Sequence, residues 1–252
     1  MPKDMEEGAK EWGVSGRVTW IGLALTYLLL LRASELFTED DGRVHAVYGL
    51  SGGDVAFYEG ERQVEEGSSP EVDTVEVWFR GSKGGQDRRG AVLVRTRGDR
   101  GTGGETVELM QELYRIHDGR SDLPLMANGS HGGWKVWTRG QAIYYLRRGL
   151  SVVATARGNR EGGGKARLVP EEFALHSGRI GGATRLAAKG ASSRVIQQEG
   201  RWSSNAFMVY VRANMEEPQW VSEALSGEKG SKRLPGQGTR RGYRRGGCSR
   251  NL

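Results

Sequence analysis

The chain has 252 residues, 37% of them hydrophobic and 27% charged, enough for one sizeable core domain with ragged ends. A net charge of +6 and a pI near 9.5 favour a polyanionic partner, a bias shared by ribosomal, histone-like and membrane-surface proteins. The single cysteine, Cys248, excludes an internal disulfide and points to a reducing compartment; scattered histidines (His45, His117, His131, His176) and the lack of a GxxxxGKS loop or GxSxG elbow argue against metal, nucleotide-hydrolysing and serine-hydrolase chemistry.

Residues 1–16 are charged and glycine-containing and read as a flexible lead. The nearly continuous apolar run of residues 17–37 predicts a helix buried on most sides. Its core, residues 20–31, is about two-thirds of the length that crosses a bilayer and ends at Arg32 and Glu35, so a core helix is expected and no membrane span. No signal-peptide pattern precedes it. Residues 46–50 and 54–58 read as short strands. Thr74–Phe79 and Ala91–Thr96 alternate and are β-branched, and RGSKGGQDRRG lies between them. Together they predict a β-hairpin with a long basic tip that carries Ser82 and Lys83.

Helical periodicity returns over residues 106–117, where Val107, Leu109, Met110 and Leu113 recur at three- and four-residue steps. Residues 123–133 read as loop. Thr138 is placed as the N-cap of a helix over 140–148, and 157–167 as a glycine-rich break. Pro170 opens the next helical segment, at a position proline tolerates. Further helices are predicted over 179–189, ended by Gly190, and from a Ser192 or Ser193 cap to Glu199. Another runs over 205–214 and carries Tyr210, and a last short one covers 218–225. Residues 226–252 are basic and nearly devoid of apolar side chains, a disordered tail in which arginines flank Tyr243. The order predicts an α+β fold, mostly helical with a small antiparallel sheet.

Residues 176–210 concentrate the candidate chemistry. His176 and Arg179 are three apart and share a helix face or the turn into it; Trp202 and Tyr210 are eight apart, close to two turns. A histidine for proton handling, an arginine for phosphate charge and a tyrosine hydroxyl as nucleophile form a phosphodiester-attacking set.

Four segments together resemble the catalytic domain of the tyrosine recombinases, the phage-integrase family. YLLLLRASEL, residues 27–36, is similar to the helix of the first arginine, with Arg32 as that arginine and Glu35 as its acidic companion. Ser82 and Lys83 resemble the catalytic-lysine turn. HSGR, residues 176–179, matches the HxxR signature, with IGGAT and LAAKG following. GRWSS, residues 200–204, with Tyr210 beyond it, resembles the tryptophan-plus-nucleophile end. Order and spacing carry the likeness, which covers residues 17–215 and places the catalytic domain at 17–225.

The resemblance implies Tyr210 as nucleophile and a 3′-phosphotyrosyl intermediate. It implies Arg32 and Arg179 as clamps on the non-bridging oxygens, with Glu35 holding Arg32. Lys83 becomes the general acid for the departing 5′ oxygen, His176 an aid to proton transfer, and Trp202 the brace of the pocket. No cofactor or metal is called for. Strand exchange implies double-stranded DNA as partner and a homo-tetramer on paired sites, with residues 215–225 as a docking arm. An intracellular, DNA-associated location follows, nuclear in a eukaryote and nucleoid or cytoplasmic in a prokaryote. Sixteen leading residues are too few for the family's N-terminal helical domain, so the chain reads as a truncated or remnant frame. A catalytically idle DNA-binding remnant and a type IB topoisomerase stay open as alternatives.

Overall fold

The apolar run near the N-terminus folds as helix α1 (Gly13–Leu28), in a computed structural model that describes residues 13–39, 48–64, 69–81, 90–98, 103–130, 133–158 and 168–212. Val18, Ile21, Ala24 and Leu25 are all buried, so α1 is the central element of the core. It starts four residues before the pattern predicts and does not continue to residue 37. The chain breaks at Leu29–Leu31, where Leu30 takes a left-handed φ of 49°, and restarts as α2 (Ala33–Leu36) with Arg32 as its N-cap. Periodicity could not locate this break, because all three leucines are buried and a fully buried run has no phase. The carbonyls freed by the break are bonded by side chains from far along the chain.

A four-stranded antiparallel sheet follows, of β1 (Val55–Glu59), β2 (Arg62–Val64), β3 (Thr74–Phe79) and β4 (Ala91–Thr96) in the order β2-β1-β3-β4. Strand β1 lies one residue later than the expected 54–58, and β2 is an addition. The expected hairpin forms, with Thr74 opposite Thr96 and Phe79 opposite Ala91. Val75, Val77 and Phe79 face the core while Trp78 points to solvent, as alternation requires. The strand expected over 46–50 is not found among the described residues 48–50; Leu50 instead bridges Glu35 and Leu125 through main-chain hydrogen bonds.

Helix α3 (Gly103–Ile116) buries Val107, Met110 and Leu113 and is tied to α1 by Arg17, whose Nε donates to Glu112 at 2.6 Å. The segment expected as loop holds a small hairpin, β5 (Ala127–Ser130) with β6 (Gly133–Val136). Four-residue strands of mixed composition have no readable period; tertiary contacts stabilise them. Trp137, fully buried, donates its indole N–H to Asn128, and its carbonyl accepts from the Thr38 amide.

Thr138 caps the next helix as expected: its hydroxyl accepts from the Gln141 amide, and the Thr138 amide donates to Gln141 Oε1. That helix, α4 (Arg139–Gly158), runs ten residues past its expected end because Leu150 and Val153 are buried beyond Gly149. Pro170 heads a 3-10 turn, Pro170–Glu172. Helix α5 (His176–Ala188) begins at the HSGR box itself and stops at Gly190, φ 82°. Ser192 caps α6 (Ser193–Glu199), and a 3-10 turn leads into α7 (Met208–Arg212), which carries Tyr210. Phe207 and Val211 pack with Ala183 and Ile196 in a second, smaller core.

Glycines set the depth at which α5 meets α1. A β-carbon at Gly178 would overlap the Thr26 side chain, and one at Gly182 would overlap the Tyr27 carbonyl and Leu30. The fold is thus α+β, helical around a small antiparallel sheet, and no helix among the described residues is long and apolar enough to cross a membrane. Ser82, Lys83, residues 215–225 and the tail 226–252 lie outside the described residues.

Candidate functional site: an arginine cleft

The break after α1 places Arg32 at the mouth of an open cleft of about 730 Å³. Arg32, Ala33 and Ser34 form one wall, Arg139 and Gly140 at the start of α4 a second, and His176, Arg179 and Trp202 a third. Four of the seven residues singled out in the sequence therefore line it, Arg32, His176, Arg179 and Trp202, and a fifth, Glu35, is bonded to Arg32 from beneath the surface.

Glu35 anchors the arginines beside the cleft. It is 1% exposed, and its Oε1 accepts from Arg32 Nη1 at 2.9 Å. Its Oε2 accepts from the Arg32 amide at 2.7 Å and from Arg201 Nη2 at 2.8 Å. A carboxylate taken out of water needs such partners, since an uncompensated buried charge is strongly destabilising. The same bonds fix the Arg32 side chain and cap α2, leaving 22% of that side chain exposed towards the cleft.

Arg179 is buried, at 1% exposure. Its Nη1 donates to the Leu30 carbonyl and its Nη2 to the Gly200 carbonyl, while its Cζ lies 4.2 Å from the centroid of the Trp202 ring. The ring's electron-rich face stabilises the cation. Gly200 is required beneath that ring, because a β-carbon there would collide with it. Trp202 also packs on Phe207, 5.5 Å between centroids.

Arg201 is a site residue the sequence reading passed over. It adopts a left-handed φ of 53° and turns its guanidinium inward, to 5% exposure. Burial pushes its pKa below the ordinary guanidinium range; the Glu35 charge opposes that shift and the Arg32 charge adds to it. The sequence signal was weak: an arginine inside GRW has no visible partner when that partner lies 166 residues away. Arg139, which lines the cleft and pairs with Glu39 at 3.1 Å, was overlooked too, behind its capping neighbour Thr138.

His176 keeps an exposed edge. The protein packed around it, and then the positive charges of Arg179 and Arg32, hold its imidazole below the usual 6.5. Tyr210 lies on α7, but its side chain is outside the described residues, as is Lys83. Among the described residues no group of histidine, cysteine and carboxylate side chains gathers that could hold a metal ion. What the arrangement can do is bind an anion: Arg32 and Arg201 share one buried carboxylate and Arg179 is bonded to the neighbouring Leu30 carbonyl, so three guanidinium groups face a single acid.

No family model matches the chain, and no curated protein is significantly similar to it. Among solved structures, that of the Tn1549 transposon integrase in complex with circular intermediate DNA aligns over 89% of this chain, at 15% identity and a TM-score of 0.42. The chain spans 62% of that integrase chain. At that distance the likeness fixes nothing about the site, whose chemistry is read from its own side chains.

Proposed function

We propose that this chain cleaves and rejoins DNA strands through a 3′-phosphotyrosyl intermediate, in site-specific recombination or the integration of a mobile element. The supporting observation is that Arg32 and Arg179 line one cleft, Arg32 directly after the Leu29–Leu31 turn whose Leu30 carbonyl accepts from Arg179. Two planar, permanently charged forks suit the non-bridging oxygens of a phosphodiester, and losing one such transition-state donor typically costs on the order of 10²–10³ in rate.

In this reading Tyr210 attacks phosphorus in line; the P–O bond to the 5′ oxygen breaks as the tyrosyl ester forms. Lys83 protonates the leaving oxygen. His176, neutral near pH 7 because its pKa is depressed, relays the phenolic proton. Phenols ordinarily titrate near 10, so attack at neutral pH requires cations to stabilise the phenolate. Trp202 braces Arg179. The ester conserves the energy for rejoining, so no cofactor is needed. The partner is double-stranded DNA, with a homo-tetramer on paired sites when active, and the protein acts inside the cell on DNA.

A second reading has its own support. Arg179 is almost fully buried with both terminal nitrogens bonded to carbonyls, which suits a catalytically idle DNA-binding relative. A nicked suicide duplex separates the two. The enzyme forms a covalent protein–DNA adduct, visible on denaturing gels, that disappears with Tyr210→Phe. A binder shifts the duplex on native gels and forms no adduct.

A further inference from the structure

We infer that Arg201 is a positioning residue of the cleft, holding Arg32 and Arg179 in register without itself touching DNA. This rests on the strand-cleavage reading for its catalytic consequence.

The guanidinium of Arg201 reaches four acceptors on three segments. Its Nη1 donates to the Leu29 carbonyl at 3.3 Å and to the Glu199 carbonyl at 3.2 Å. Its Nη2 donates to the Leu30 carbonyl at 3.3 Å and to Glu35 Oε2 at 2.8 Å. The Leu30 carbonyl is the same one that accepts from Arg179, and Glu35 is the same carboxylate that clamps Arg32. Arg201 is thus the common link between the two arginines assigned to the phosphate. Its Cζ also lies 3.9 Å from the centroid of Phe79, the last residue of β3.

The residue type follows from that geometry. A planar fork reaches carbonyls through both terminal nitrogens and the carboxylate through one of them; a lysine ammonium is a point charge and cannot span all four acceptors. The left-handed backbone disfavours any residue with a β-carbon, and glycine, which fits it best, has no fork. Simple packing does not account for a buried cation beside Arg32, a like charge that an apolar side chain would avoid. Rigid placement does. A misplacement of about 1 Å by a residue remote from the chemistry can cost on the order of 10² in rate.

The test is a double-mutant cycle on the full chain with a nicked suicide duplex at saturating concentration. Thermal melts confirm that each variant is folded. Arg201→Met and Arg201→Lys are each expected to slow single-turnover adduct formation about 10²-fold, because the fork rather than the charge is needed. In an Arg32→Ala background, Arg201→Met should cost about tenfold or less, since the share of its effect that passes through Arg32 is already lost and only the share through Arg179 remains. Losses that multiply, or a wild-type rate in folded Arg201→Lys, overturn the proposal. A wild type that binds DNA and yields no adduct removes the cleavage reading alone. The same cycle is then read on the salt dependence of binding: Arg201→Met should lower the slope by about one when Arg32 is present and by less when it is absent, and an unchanged slope in the Arg32-containing chain overturns the inference. A wild type that binds no DNA overturns both.

Discussion

Gly181 and Gly182 sit side by side in the middle of α5, and changing each to alanine gives opposite expectations from one mechanism. Helix propensity alone predicts that either change stabilises the fold by about 1 kcal/mol. At Gly181 the new β-carbon would meet the Tyr27 ring at 3.5 Å, an ordinary contact, so that gain should be realised. At Gly182 it would come closer than 3.0 Å to the Tyr27 carbonyl oxygen and to Leu30 Cδ2, and the carbonyl belongs to the backbone of the central helix. Overpacking of this kind costs about 1–3 kcal/mol, and a rigid neighbour puts it at the upper end. Propensity offsets part, leaving Gly182→Ala less stable by about 1–2 kcal/mol. For a chain of this size each kcal/mol moves the melting temperature by about 2–4 °C. Gly181→Ala should therefore melt about 2–4 °C above the wild type and Gly182→Ala about 2–8 °C below it, in thermal denaturation followed by circular dichroism. Two shifts of the same sign would refute the claim that glycine at 182, and not helix propensity, sets the α1–α5 distance. The distance matters because it lets Arg179 reach the Leu30 carbonyl.

Glu35→Gln leaves Arg32 and Arg201 facing each other without their shared counter-charge. It should cost about 3 kcal/mol in urea denaturation, and a loss under about 1 kcal/mol would mean that the buried pairing is not structural. Acid sensitivity has a definite sign. His117, through burial, and His176, through the protein around it and then Arg179 and Arg32, both have folded-state pKa values below 6.5, so the unfolded chain binds more protons in that range. Stability conferred at neutral pH is lost as the pH falls below about 6.5. Denaturation midpoints across that window should fall less steeply for His176→Gln than for the wild type; identical slopes would remove His176 as a contributor.

Local rules read much of this chain correctly because they depend on neighbours in sequence. The β3–β4 hairpin, the Thr138 and Ser192 caps and the stop at Gly190 follow from alternation, hydroxyl capping or glycine, whereas α5 opens at His176, three residues before the expected 179, with no side-chain cap to announce it. The same rules erred where burial removed the pattern. Three buried leucines concealed the break at Leu30, two buried residues carried α4 past Gly149, and the four-residue strands β5 and β6 formed on contacts with Trp137.

What the sequence by itself determined was the inventory: a basic chain, an α+β element order, and arginine, histidine, tryptophan and tyrosine at spacings suited to phosphodiester chemistry. Which of these meet was decided by tertiary structure. The turn at Leu29–Leu31 presents carbonyls to Arg179 and Arg201, and one carboxylate gathers Arg32 and Arg201 across 166 residues. No local window contains both partners of such a bond. The physical reason is that a buried charge must find its counter-charge wherever the fold brings one, and sequence distance does not enter that requirement.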